Sequence, residues 1–288
     1  MKFDERALAF DCEGDRLVGV AALPATPGKL GVVLIVGGPQ YRVGSHRQFV
    51  LFARRLAAAG IAVLRFDYRG MGDATGQMRK FQETGPDIAA ALDALRALCP
   101  TVEKFVLWGL CDAASGALMY LQETRDDRVT GLVLLNPWVR SDETLARTYL
   151  KHYYGRRLLE RAFWAKLMRG GVDLGRTLTS LAGNLRTARS RQTPRETSAA
   201  RFQDRMASGF TSFPGPVLIF LSGRDLTARE FVDFAASDSR WTDLLGRPNV
   251  ERHTLPGADH TFSSADTRAE VETRTLDWLR RMYPSQPR

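Results

Sequence analysis

The strongest chemical signal in the sequence is five residues long: Gly109-Leu110-Cys111-Asp112-Ala113. Lys104 to Leu107 before it reads as a strand, and the residues after it, through Leu121, as a helix. A nucleophile elbow needs such a strand-to-helix turn, with small flanking residues that leave the apex side chain exposed. The apex residue here is a cysteine. A helix N-terminus beside the sulfur brings N–H groups and partial positive charge, which favours the reactive thiolate. The competing reading is a small buried hydrophobe, the ordinary fate of a free cysteine. Ser115 is a rival nucleophile, but it lies a turn into the helix, away from the apex.

A thiol nucleophile needs a base and a group that orients the base. The chain has four histidines. His152 falls in a segment without strand signals, and His253 falls inside an expected strand. His46 stands near the start of an expected helix. His260 follows the strand Val250 to Leu255 in the loop Pro256-Gly-Ala-Asp-His260, where an imidazole can reach across to the elbow. Asp225 closes Ser222-Gly-Arg-Asp225 after the preceding strand, Pro216 to Leu221. Asp259 is the alternative acid, but it adjoins His260 and is badly placed to hold that ring from behind.

Acyl chemistry also needs donors for a developing oxyanion. The backbone N–H of Asp112 would be one. The other should come from Gly37-Gly38-Pro39-Gln40-Tyr41, the loop after the strand Gly31 to Val36. Proline has no N–H, so Gln40 or Gly38 must supply it, with Gln40 preferred. Tyr41, Arg42, His46 and Arg47 fall near the expected mouth and are candidate substrate contacts. A surface or helix-capping role is the plainer reading for them.

The elements that must position these residues alternate regularly. Strands are expected over Leu17–Leu23, Gly31–Val36, Ile61–Phe66, Lys104–Leu107, Gly131–Leu135, Pro216–Leu221 and Val250–Leu255. Helices are expected from Ser45 as N-cap to Ala59, over Pro86–Leu98, from the elbow to Leu121, around Ala228–Ala235 and over Ala265–Arg281. Uniformly apolar strands alternating with helices imply an α/β fold with a mostly parallel sheet and helices on both faces. The pattern divides the chain into a first core part, residues 1–137, an interruption without strand signals, 138–214, read as a helical insert, and a second core part, 215–288. In such sheets ligands bind at the carboxyl ends of the strands, where Cys111, Asp225 and His260 all fall.

Hydrophobic residues make up 44% and charged residues 25% of the 288, values of an ordinary globular protein. Met1 to Phe10 is charged and lacks an apolar core, so no secretory signal is expected. No apolar run approaches the roughly 20 residues of a transmembrane helix. The three cysteines are far apart and form neither CxxC nor zinc spacing, which suits a reducing cytoplasm. Net charge is +9, and residues 138–214 carry all of it, with 15 Lys or Arg against 6 Asp or Glu. This basic excess suits an anionic substrate, an acidic partner or a membrane surface equally. With no recognised binding motif, nucleic acid is not an expected partner.

The order nucleophile, acid, histidine is that of the α/β-hydrolases, and the sequence resembles that superfamily over nearly its whole length. Phe66-Asp-Tyr-Arg-Gly-Met-Gly-Asp-Ala-Thr-Gly76 is similar to the superfamily's loop after its fourth strand. Ser222–Asp225 and Gly257–His260 resemble its acid and histidine loops. More narrowly, Val36-Gly-Gly-Pro-Gln-Tyr-Arg-Val-Gly-Ser-His-Arg47 and Trp108-Gly-Leu-Cys-Asp-Ala-Ala-Ser115 resemble the exosortase A system-associated hydrolase 1 family. The resemblance implies an α/β-hydrolase fold with the insert as a helical cap, and a bacterial cytoplasmic protein encoded near exopolysaccharide and protein-sorting genes. Two residues depart from the superfamily's pattern: Gly37-Gly38 stands where His-Gly is usual, and Cys111 where serine is usual.

The expected function is therefore acyl hydrolysis or transfer on a small ester or thioester through Cys111, His260 and Asp225, without metal or organic cofactor. Cap arginines would suit an anionic substrate such as a coenzyme A thioester or a sugar phosphate, or form a solvated basic face. Cap aromatics Tyr149, Tyr153, Tyr154, Phe163 and Trp164 would pack on the core or line a pocket. The alternative is a non-catalytic binding or scaffold protein on the same fold.

Overall fold

Eight strands form one sheet in the order β1-β2-β4-β3-β5-β6-β7-β8. They are β1 (Phe3–Cys12), β2 (Asp15–Pro24), β3 (Leu30–Ile35), β4 (Ala62–Phe66), β5 (Lys104–Leu110), β6 (Val129–Leu135), β7 (Val217–Ser222) and β8 (Val250–Leu255). β1 pairs antiparallel with β2, and β2 with β4. Every other pairing is parallel. The computed structural model describes residues 2–38, 40–140 and 201–284. Of the expected insert, residues 141–200 lie outside them, and with them the five cap aromatics and His152.

The central strands are apolar throughout because both faces are covered. Along β6, Leu132 and Leu134 join one core layer, while Val133 and Leu135 join the other. The same two-residue period places Val33 and Ile35 of β3 opposite Val32 and Leu34. One layer includes α2 (Gly85–Leu98), α3 (Asp112–Thr124) and α4 (Phe202–Ser212); the other includes α1 (Gln48–Ala58) and α7 (Ala265–Met282). Two further helices, α5 (Leu226–Ser237) and α6 (Ser239–Leu245), follow β7. Helix α4 lies so close to α3 that a Cβ on Gly209 would stand 1.9 Å from the Leu118 carbonyl oxygen. This stretch belongs to the expected insert by sequence, and it packs on the elbow helix.

Three elements differ from the sequence expectation. β1 was not foreseen: Asp4, Glu5 and Arg6 dominate its start, and as an edge strand it buries little more than Cys12. Helix α6 was not foreseen either. Ser45 is not a helix N-cap: Ser45–Arg47 forms a 3₁₀ turn, His46 and Arg47 take left-handed φ of 54° and 60°, and α1 begins at Gln48. The Ser45 hydroxyl donates instead to the Gln40 side-chain carbonyl at 3.3 Å.

Candidate active site

Cys111 sits between the end of β5 and the start of α3 with φ 64° and ψ −126°. L-residues seldom adopt positive φ, and such strain gathers at functional sites. Local packing enforces it. A Cβ on Gly109 would come within 2.8 Å of the Ala113 and Ala114 backbone, so only glycine lets the helix turn back so closely on the strand. The Cys111 N–H donates to the Leu135 carbonyl at 2.8 Å, which fixes the apex to β6. Its side chain is half-buried, whereas Cys12 and Cys99 are buried.

His260 and Asp225 arrive from the carboxyl ends of β8 and β7. Nδ1 of His260 lies 2.8 Å from Oδ2 of Asp225. Asp225 is also the N-cap of α5, its carboxylate accepting from the N–H groups of Thr227 at 3.2 Å and Ala228 at 3.1 Å. Burial would raise its pKa. The hydrogen bond and charge of His260 and the two backbone donors outweigh that and hold it below the ordinary aspartate value. His260 is pushed the other way, from 6.5 up to about 10, first by the hydrogen bond with Asp225 and next by one with Cys111, burial opposing both. Cys111 and His260 line the same cleft, and the Asp225 carboxylate stands 2.8 Å behind the imidazole.

The rival groups are engaged elsewhere. Ser115 is buried, and its hydroxyl donates to the Trp138 carbonyl at 2.7 Å. The Asp259 carboxylate accepts from the N–H of Ser263 at 2.9 Å and from its hydroxyl. His253 lies in β8, its Nε2 2.7 Å from Glu251.

A cleft of about 380 Å³ opens over Cys111 and His260. Gly37, Gly38, Gln40 and Asp112 form its polar side, and Phe81, Leu110 and Trp138 its apolar side. None of Tyr41, Arg42, His46 and Arg47 is among these lining residues. Tyr41 is exposed. Arg42 bonds through its guanidinium to Asp67 and Asp73, while its N–H donates to Asp67 at 2.6 Å. On the oxyanion side, the Gly38 N–H donates to Oδ1 of Asp112 at 2.6 Å and the Gln40 N–H to the Gly38 carbonyl at 2.8 Å.

Sequence reasoning passed over several residues of this site. Asn136, buried after β6 at φ 43°, donates to the Ser222 hydroxyl at 2.8 Å and to the His260 carbonyl at 3.0 Å. Ser222 returns its N–H to the Asn136 side-chain oxygen at 2.8 Å and donates its hydroxyl to the Asp259 carbonyl at 2.7 Å. This buried network ties the ends of β6 and β7 to the histidine loop. The signal for it was a polar residue closing an apolar strand. Phe81 and Trp138 have no local signal, because they reach the cleft only through the fold.

Among the described residues, no group of three or more His, Cys, Asp or Glu is placed to hold a metal ion, and no helix is long and apolar enough to cross a membrane.

Comparison with solved structures places the fold. An esterase of Pyrococcus furiosus superposes with TM-score 0.64 at 18% identity, covering 97% of this chain and 92% of that one. GrgF, an alpha/beta hydrolase of Penicillium sp., gives 0.65 at 17% identity, covering 97% and 99%. Est1E of Butyrivibrio proteoclasticus, solved with ferulic acid bound, gives 0.63 at 16% identity, covering 96% and 99%. A search of curated protein sequences finds no match. A sequence model of the alpha/beta hydrolase family matches residues 32–274, and with that match over most of its length the chain belongs to the alpha/beta hydrolase family.

Proposed function

We propose that the protein is a cysteine-nucleophile acyl hydrolase or acyltransferase acting on an ester or thioester. The supporting observation is Cys111 at a strained elbow, His260 lining the same cleft, and Asp225 at 2.8 Å behind the ring. The Cys111 thiolate attacks the acyl carbon, forming an S–C bond as the carbonyl π pair moves to oxygen. The leaving alcohol or thiol takes its proton from the His260 imidazolium as the tetrahedral intermediate collapses. A second acceptor, water or another nucleophile, then gives a proton back to His260 as it attacks the thioester carbon, and collapse of this second intermediate breaks the S–C bond, releasing the acyl product and the Cys111 thiolate. Asp225 holds the ring in one orientation throughout. The chemistry calls on no metal or organic cofactor.

Asp112 N–H serves as one oxyanion donor, and the loop after β3 supplies the other: Gln40 N–H after release from the Gly38 carbonyl, or Gly38 N–H after release from the Asp112 carboxylate. The structural neighbours include esterases, which favours acyl substrates. The resemblance of residues 36–47 and 108–115 to the exosortase-associated hydrolases supports a role linked to bacterial exopolysaccharide systems, in the cytoplasm.

Iodoacetamide labelling followed by mass spectrometry tests the reading, since Cys12 and Cys99 are buried. Rapid alkylation is expected at Cys111, absent in Cys111→Ala and slowed in His260→Ala. An alkylation rate that does not change in His260→Ala removes the nucleophile assignment and leaves the scaffold reading. Parallel turnover of p-nitrophenyl acetate and an acetyl thioester separates the two substrate classes.

A further inference from the structure

A carboxylate directly after the nucleophile is an awkward neighbour for acyl chemistry, because the developing charge is itself an oxyanion. The Asp112 side chain lines the cleft beside Cys111. Its Oδ1 stands 2.6 Å from the Gly38 nitrogen and accepts that N–H. The fit is tight: a Cβ on Gly37 would fall 2.7 Å from the same oxygen and 2.1 Å from the Leu110 carbonyl oxygen. Glycine at 37 is thus what lets the loop close over the carboxylate. The neighbouring donors are also engaged. Gln40 N–H points to the Gly38 carbonyl at 2.8 Å, and Pro39 has none to offer. The backbone N–H groups of Asp112 itself and Ala113 also favour the carboxylate charge.

An oxyanion hole works by presenting unengaged, preorganised donors where negative charge will develop. Here a negative oxygen belonging to the chain stands on one of them. We infer that the Asp112 carboxylate is an intramolecular occupant of the oxyanion hole, which a substrate's carbonyl oxygen must displace, so that Asp112 selects for acyl groups that compete with it. Release of Gly38 from Asp112 also frees the Gly38-to-Gln40 segment to turn its second donor into the cleft. Burial dominates the environment of this carboxyl and raises its pKa above the ordinary value despite its backbone donors and the charge of His260. Displacement then removes a carboxylate from a site that solvates it poorly.

The inference rests on Cys111 being the nucleophile, so its test uses two reactions of the same sulfur. Alkylation by iodoacetamide forms an S–C bond and expels iodide without creating an oxyanion. Benzaldehyde instead adds reversibly: sulfur bonds to the aldehyde carbon, the C=O π pair moves to oxygen, and the His260 proton follows it. That oxygen occupies the hole. The readout is the benzaldehyde concentration that halves each protein's own alkylation rate, in full-length wild type, Asp112→Ala and Asp112→Asn. Removing the competitor should let benzaldehyde protect Asp112→Ala at a concentration lower by about ten-fold, a modest share of what one oxyanion donor contributes. Asp112→Asn keeps the acceptor without its charge and should fall between. Unchanged or weaker protection in Asp112→Ala overturns the inference and makes Asp112 a staple for the loop. Should the alanine variant fail to fold, the same result in Asp112→Asn alone overturns it. If wild-type Cys111 is not alkylated, the nucleophile assignment fails and the inference with it; alkylation without improved protection removes only the inference.

Discussion

Nδ1 of His260 and Oδ2 of Asp225 are 2.8 Å apart, although 35 residues separate them in the chain. This pair sets the electrostatics of the cleft. His260 is raised from 6.5 to about 10 and Asp225 is lowered. The sign of the pH dependence follows. A raised histidine contributes stability that is fully present below about pH 6.5 and is lost as pH climbs through about 10. A lowered aspartate contributes stability that is lost as acid reprotonates it. Urea unfolding of wild type and Asp225→Asn should therefore differ most in mildly acidic to neutral solution, and the gap should close toward about pH 10. NMR titration of His260 should place its midpoint far above the free value. Asp225 and Cys111 both raise it, so the midpoint should drop in Asp225→Asn and in Cys111→Ala.

Asn136 should be a positioning residue for the same imidazole. Its amide donates to the His260 carbonyl at 3.0 Å and exchanges two hydrogen bonds with Ser222. Asn136→Ala leaves the buried Ser222 N–H and the His260 carbonyl without this partner, at a cost of about 2 kcal/mol in urea unfolding. Purely structural damage would stop there. A positioning role adds a slower alkylation of the folded protein's Cys111, by about ten-fold, a small part of the roughly 10²–10⁴-fold that general acid–base catalysis contributes. Asn136→Gly keeps the φ of 43° comfortable but removes the same bonds, so it should be equally slow.

Arg42 should prove a structural residue. Asp67 is wholly buried and takes the Arg42 N–H and guanidinium together with the Asp73 N–H at 3.0 Å. Arg42→Ala leaves that buried carboxylate its two backbone donors but no counter-charge, and should lose about 3 kcal/mol of stability. Asp67→Asn combined with it should recover part of the loss, a non-additivity expected of a buried pair. The KM for p-nitrophenyl acetate should stay at the wild-type value in the folded Arg42→Ala protein. A KM that rises without a loss of stability would put Arg42 at the substrate instead.

The legible parts of this protein were those where one chemical signal dominates locally. β3, β5, β6 and β7 are buried on both faces, so each reads as an unbroken apolar run. Glycine and aspartate at the ends of β5 and β7 mark the loops that carry Cys111 and Asp225, and Pro256-Gly257 after β8 marks the one that carries His260. β1 hid because half of its residues face solvent, although Leu8, Phe10 and Cys12 alternate as a strand should. The left-handed His46 and Arg47 hid because nothing in Ser-His-Arg announces positive φ. The hydrogen bond from Gly38 to Asp112 joins residues 74 apart, and only the parallel pairing of β3 with β5 brings their loops together. A sequence names residues with chemical capacity; which donor is already taken depends on the assembled fold.

The elbow offers the sharpest test of how packing imposes strain. Cys111 holds φ 64° and ψ −126°, a backbone state that costs an L-residue on the order of 1–3 kcal/mol. Glycine escapes that cost, but its freer unfolded chain takes back about 0.4–1 kcal/mol. Cys111→Gly should therefore be more stable than Cys111→Ala by about 1 kcal/mol in urea unfolding, with both proteins equally unable to react with iodoacetamide. Gly109→Ala should go the other way. Its new Cβ would meet the Ala113 and Ala114 backbone at 2.8 Å, so strand and helix must separate, at a cost of about 2 kcal/mol. That separation also loosens the turn that forces positive φ at the apex. Alkylation of Cys111 in Gly109→Ala should consequently slow even where the protein remains folded, because the sulfur shifts within the cleft it shares with His260. If Gly109→Ala alkylates at the wild-type rate, the strained turn is not what aims the thiol.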